Sequence, residues 1–142
     1  MILSAREIRN RLDRGDGLVI APYSDACQQP ASYDLRAAET ATLVRGRCTL
    51  VHTLERVEMP GDIAAVLRCR SSYARRGVLL GGGFVDPGFR GQLTLCLTNM
   101  GEGDILLPQG DRVVQMILHE VKGVGGLYNG RYQDSTGVVG AR

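Results

Sequence analysis

Several absences narrow this sequence before any motif is read. Its four cysteines, Cys27, Cys48, Cys69 and Cys96, lie far apart with no CxxC pair. That removes the spacing of a zinc knuckle or a redox dithiol, and each thiol is expected to be a small buried hydrophobe. No apolar run reaches membrane-spanning length, and the opening MILSAREIRNRL puts Arg6, Arg9 and Arg11 where a signal peptide needs its apolar core. A cytoplasmic protein with no membrane partner is therefore expected. Seventeen basic against fifteen acidic residues leave a net charge of only +2, with no basic stripe to capture a nucleic-acid backbone by counter-ion release, so nucleic acid is not an expected partner. Neither an internal repeat nor a linker divides the chain, and 142 residues suit one domain with a sizeable core.

What is present points to strands. Nineteen glycines and little helical periodicity suggest turns joining short strands. One helix is expected at LSAREIRNRLDRGDG: Ser4 is a candidate N-cap with Glu7 three residues on, Ile8 and Leu12 share a face, and Gly15 and Gly17 end it. LVIAPY reads as a short strand stopped by Pro22, and SDACQQPAS as a loop. From Tyr33 onward alternation predicts roughly eight or more short strands, the pattern of a sandwich or barrel. Residues 1–122 form the expected β domain. Residues 123–142, KGVGGLYNGRYQDSTGVVGAR without its first residue, read as a flexible glycine-rich tail.

Three stretches are able to carry chemistry. RCRSSYARRG sets Arg68, Arg70, Arg75 and Arg76 around Ser71 and Ser72; guanidinium forks and hydroxyls suit phosphate oxygens, though a solvated arginine patch has the same composition. In GGGFVDPGF, glycines permit close backbone approach to a ligand, and Pro87-Gly88 holds Asp86 just before the turn. A carboxylate there suits activation of a water, or simply caps the turn. Asp86 reads as buried, and Cys96 as inward-facing on the strand that follows. QGDRVVQMIL carries Gln115, fit for phosphate contact or for solvent.

In this order the pieces resemble the trimeric dUTPase and dCTP deaminase superfamily over nearly the whole chain. ASYDLRAAE is similar to the first dUTPase motif, RSSYARRG to the second, GGGFVDPGFRGQL to the third and GDRVVQMIL to the fourth. The N-terminal LSAREIRNRLDRGDGLVIAPY, QPASYDLR and the closing YQDSTGVVGAR resemble the deaminase branch, while STG echoes the last dUTPase motif. Deaminases of this superfamily carry a proton-shuttling glutamate in a TLEL-like segment, where this chain reads TLCLTN. Cys96 is a poor substitute, because an apolar-flanked thiol stays neutral, and Gln92 and Thr94 on its face are neutral too. The short span from Gly77 to Asp86 also resembles the dUTPases.

The resemblance implies a mainly β fold, a dUTPase-like distorted β-barrel or jelly roll with one short N-terminal helix. It implies hydrolysis of dUTP to dUMP and diphosphate with Mg²⁺, Asp86 activating the water. The backbone of the hairpin, Gly83 and Val85 included, would read the uracil, and Phe89 would pack on the deoxyribose. Arg70, Ser71, Ser72 and Gln115 would hold the triphosphate, with Arg75 serving either phosphate or base. Asp34 would act on the metal through water, as a second layer behind its ligands. The tail would close over the nucleotide through Arg131, Tyr132, Ser135 and Thr136. A homotrimer with sites between subunits is expected. A dCTP deaminase, or an enzyme that both deaminates and hydrolyses, is the alternative, and a non-catalytic nucleotide-binding regulator a further one.

Overall fold

A computed structural model describes residues 1–123 and 125–142. Among the described residues the one long helix, α1 (Ala5–Arg14), starts where Ser4 Oγ accepts the Glu7 amide at 3.3 Å and stops at Gly15, whose φ of 65° is left-handed. That cap satisfies an amide with no partner inside the helix, and the glycine turns the chain without a Cβ clash. Ile8 is fully buried, whereas Arg11 grips Asp62 through two contacts of 2.7 and 3.0 Å. Hydrophobic seating on one side and a bidentate ion pair on the other fix the helix against the β body.

The strands among the described residues are β1 (Val19–Ala21), β2 (Gln28–Gln29), β3 (Ser32–Arg36), β4 (Ala41–Leu43), β5 (Cys48–Glu58) and β6 (Ile63–Cys69), then, after a helical turn α2 (Ser71–Ala74), β7 (Val78–Gly81), β8 (Phe84–Val85), β9 (Arg90–Asn99), β10 (Ile105–Leu107) and β11 (Arg112–Glu120). They form a five-stranded sheet ordered β2-β3-β11-β6-β8, a four-stranded sheet β1-β5-β9-β7 and the ribbon β10-β4. All the strand pairs are antiparallel. Alternation sorts each long strand into two faces. On β9, Leu93, Leu95 and Leu97 enter the core, while Gln92, Thr94 and Cys96 take the half-buried outer face. On β11, Val114, Met116 and Leu118 join the same core. Each such side chain contributes about 1.5–3 kcal/mol on burial, and together they hold the two main sheets face to face.

Several expectations need correction. Residues Ser71–Ala74 form a helical turn that strand alternation does not predict, with Arg70 as its cap residue. The loop after Pro22 contains a turn at Asp25–Cys27 and the short strand β2, which Gln28 supports by donating to the Gln29 and Ser32 carbonyls. Of the four thiols only Cys27 is buried; Cys48 is exposed, and Cys69 and Cys96 are intermediate. Cys96 points away from the hydrophobic core because its position shares parity with Gln92 rather than Leu95. Asp86 is exposed, since it stands at the rim of the hairpin. Sequence alone also missed a fully buried carboxylate: Glu55 accepts from the Arg36 backbone amide at 2.9 Å and from its Nε at 2.6 Å, which compensates the buried charge.

The expected tail includes Val124, which lies outside the described residues. Tyr128 donates its amide to Pro87 at 2.8 Å, and Asp134 donates to Arg90 at 2.8 Å and pairs with its guanidinium at 2.6 and 3.0 Å. Ser135 bridges Gly91 in parallel. Composition supplied no apolar periodicity here because the contacts are backbone and polar.

Candidate active site

The hairpin between β8 and β9, the outer face of β9 and the tail enclose a cavity of about 450 Å³. Gly83, Val85, Asp86 and Phe89 form one wall, and Gln92, Thr94 and Cys96 form the floor. Tyr128, Tyr132, Ser135 and Val139 close it from the tail side. Phe89 is buried and meets Tyr128 edge-on, with ring centroids 5.6 Å apart. Gly88 and Gly91 are required by this closure. A Cβ on Gly88 would lie 2.8 Å from the Leu127 Cβ, and one on Gly91 2.8 Å from the Ser135 amide nitrogen.

The floor also anchors the lid. Gln92 Oε1 accepts the Gly137 amide at 2.7 Å and Thr94 Oγ accepts the Val139 amide at 3.0 Å, so successive residues on one face of β9 meet alternate residues of the tail. Gln92 Nε2 is meanwhile donated to the Thr53 carbonyl at 3.1 Å, which fixes the orientation of the amide. Cys96 is next along this face, and Ala141 is part of the same cavity lining. Burial, with a further contribution from Cys48, pushes the Cys96 thiol up, so it is protonated near neutrality. Asp86 is the one carboxylate among the described lining residues. A pocket so built can enclose a flat heterocycle between backbone and apolar walls while presenting a single carboxylate at its mouth.

Other predicted residues lie elsewhere on the same chain. Asp34 on β3 is paired in register with Gln115 on β11, which in turn faces Arg68 on β6. Arg70 Nε stands 3.1 Å from Asp34, and Ser71 and Ser72 begin the helical turn beside it. None of Asp34, Arg70, Ser71, Ser72 or Gln115 lines the hairpin cavity. Arg75 opens onto a separate cleft with Arg76, Gly77 and Gly101. Tyr73 donates to Asp111, and that contact ties the helical turn to the loop before β11. In the tail, Tyr132 and Ser135 reach the cavity, whereas Arg131 donates to the Arg142 carbonyl and Thr136 is exposed. Two sets of candidate residues therefore exist, a base-sized pocket and a basic, hydroxyl-rich cluster.

For a divalent cation, the described residues offer no cluster of three His, Cys, Asp or Glu side chains. Asp34 faces two guanidiniums, Arg70 and, at 3.5 Å, Arg112. Among the described residues no cluster of carboxylates is placed to ligate Mg²⁺, which prefers several oxygen ligands. Sequence reasoning also missed Tyr128 and the anchoring roles of Gln92 and Thr94. The period-two pattern of β9 held the signal for the latter pair; Tyr128 had none.

A family model described as dCTP deaminase-like matches residues 36–121. The chain belongs to the dCTP deaminase-like family. Relatives named dCTP deaminase bear this out: that of Thermococcus sibiricus is 34% identical over 152 residues, spanning 95% of this chain and 93% of the relative. That of Pyrococcus furiosus is 36% identical over 84% of this chain and 86% of its own length. Solved structures of dCTP deaminases and dUTPases share the fold. The 2′-deoxycytidine 5′-triphosphate deaminase of Agrobacterium tumefaciens superposes with a TM-score of 0.71 at 22% identity, over 82% of this chain and 47% of that one. The EIAV dUTPase superposes with a TM-score of 0.62 at 22% identity, over 82% of this chain and 95% of that one. A dUTPase of phage phi11 of S. aureus, whose structure describes coordination of a structural Mg(II) ion, has a TM-score of 0.63 at 18% identity, over 80% of this chain and 96% of that one. No described helix is long and apolar enough to cross a membrane.

Proposed function

We propose that this member of the dCTP deaminase-like family hydrolyses dUTP to dUMP and diphosphate. The observation that carries the reading is Cys96: the cavity floor presents a thiol kept protonated by burial, and Asp86 is the only carboxylate among the described lining residues. Deamination needs a group that takes a proton from water and passes it to the departing amine, and a neutral thiol does this poorly. Hydrolysis at the α-phosphorus needs only a base at the mouth. Asp86 accepts a proton from water, the water oxygen bonds to the α-phosphorus, and the bond from that phosphorus to the bridging oxygen breaks, releasing diphosphate.

In this reading the hairpin backbone around Gly83 and Val85 reads the uracil, and Phe89 packs against the deoxyribose. Arg70, Ser71, Ser72 and Gln115 hold the triphosphate. That none of them lines the pocket within one chain supports a homotrimer whose sites join one subunit's hairpin to the next subunit's basic cluster. Mg²⁺ would enter with the triphosphate, neutralising charge on its oxygens. Tyr132 and Ser135 contribute from the closed tail, with Arg131 and Thr136 at its edge.

A second reading, dCTP deamination with or without hydrolysis, is favoured by the names of the relatives, which match this chain over most of its length. The test follows diphosphate release from dUTP in the presence of Mg²⁺, in the native chain and in Asp86→Asn. Diphosphate from the native chain that is abolished in the variant supports hydrolysis by Asp86. No diphosphate from the native chain overturns it.

A further inference from the structure

Asp34 is the unusual charge of this fold. It is 1% exposed, and neither carboxylate oxygen takes part in a hydrogen bond. Burying a carboxylate without such bonds is costly unless opposite charge lies close. That charge comes from Arg70, whose Nε is 3.1 Å away, and Arg112, whose Nη1 is 3.5 Å away. Burial pushes the Asp34 carboxyl up, while the two guanidiniums draw it down.

The geometry leaves the guanidinium donors largely unspent. Arg70 gives one Nη1 contact to the Arg112 carbonyl at 3.3 Å, and Arg112 gives one to the Ala26 carbonyl at 2.8 Å. A guanidinium carries five N–H donors, so most of both forks are free. Arg112 is 37% exposed at its side chain and Arg70 27%. A register shift in β11 between Arg112 and Val114 puts two consecutive buried residues, Val113 and Val114, on the strand. Arg112 is thereby brought to the same face as Gln115, next to Asp34. Two cations this close repel, and a buried carboxylate between them offsets that repulsion without consuming their forks.

We propose that Asp34 is a buried counter-ion that holds Arg70 and Arg112 side by side as a paired clamp for triphosphate oxygens, which makes Arg112 a substrate-binding residue. Asp34 is a positioning residue; it does not touch the ligand. The inference rests on the reading of this chain as an enzyme of deoxynucleoside triphosphates, and it holds for hydrolysis and deamination alike. Planar forks match phosphate oxygens two at a time, so a paired clamp favours a triphosphate over a nucleoside.

Calorimetric titration of the full-length chain with the α,β-imido analogues of dUTP and dCTP, and with deoxyuridine and deoxycytidine, tests this. Arg112→Gln is expected to weaken the analogue that the native chain binds about tenfold or more, in line with the loss of charged hydrogen bonds. The nucleosides should be unaffected. Arg112→Lys, which keeps the charge and loses the fork, should weaken it less but measurably. Asp34→Asn should weaken the analogue and leave the nucleosides alone. The salt dependence of analogue binding should flatten in Arg112→Gln, a response that a merely structural arginine would not give. Unchanged analogue affinity in both Arg112 variants overturns the clamp and leaves the enzymatic reading standing. Failure of the native chain to bind either analogue overturns both.

Discussion

Replacing Gly91 by alanine should release the tail from its own chain. Gly91 has a φ of 145°, a region side-chain-bearing residues rarely adopt, and its added Cβ would lie 2.8 Å from the Ser135 nitrogen and 3.0 Å from the Ser135 oxygen. Both are backbone atoms, so the tail must move rather than a side chain rotate. Moving it breaks the Gln92 amide bond to the Ser135 carbonyl and strains that from Asp134 to Arg90, each 2.8 Å in the native fold. Each net backbone hydrogen bond contributes about 1 kcal/mol, so docking weakens by ~2 kcal/mol, roughly thirtyfold. Backbone strain at residue 91 adds about 1–3 kcal/mol of global destabilisation that undocking does not relieve. Amide hydrogen exchange of residues 135–139 reads the first effect and thermal unfolding the second. Gly140→Ala is the control, since its Cβ would meet nothing within 4 Å. Native-like protection of residues 135–139 in a folded Gly91→Ala protein would refute the docking geometry.

Three further outcomes follow from the same contacts. Burial raises the Asp34 pKa above its unfolded value, so its favourable contribution is complete below the unfolded pKa and lost as pH rises through the folded one. Asp34→Asn should therefore gain in melting temperature relative to the native chain on going from acid to neutral pH; a constant difference would contradict this. Alkylation at neutral pH should modify exposed Cys48 before Cys96, whose thiol is half-buried and pushed up, and bound nucleotide should protect Cys96; mass spectrometry of the labelled peptides decides. Ser4→Ala should cost about 1 kcal/mol in denaturant unfolding by removing the cap of α1, and an unchanged midpoint would show that the cap contributes nothing.

Much of the fold was legible in the sequence because alternation and turn chemistry act locally. The Ser4 to Gly15 helix, the strand stopped by Pro22 and the alternation of β9 follow from spacing alone, but the reading of Cys96 as inward-facing assigned it to the wrong face. The helical turn at Ser71–Ala74 did not, since four residues carry no periodicity to read. Asp86 sat in a motif that marked its place before the hairpin turn but not its exposure, which depends on how the hairpin is flanked. The Glu55–Arg36 pair and the Asp34 cluster join residues distant in sequence, and no local pattern records such pairing. The tail was read by composition as loose chain. Its docking uses backbone amides and the side chains of Gln92 and Thr94, contacts that hydrophobic patterning does not register.

On the proposed reading, Cys96 directs this pocket to hydrolysis rather than deamination. The most direct measurement incubates the native chain with Mg²⁺ and either dUTP or amine-labelled dCTP, following diphosphate and labelled ammonia side by side. Diphosphate from dUTP without ammonia from dCTP is the predicted result. Labelled ammonia from dCTP would contradict the account, because the amine would then leave from a pocket whose floor holds a thiol where the account requires a carboxylate.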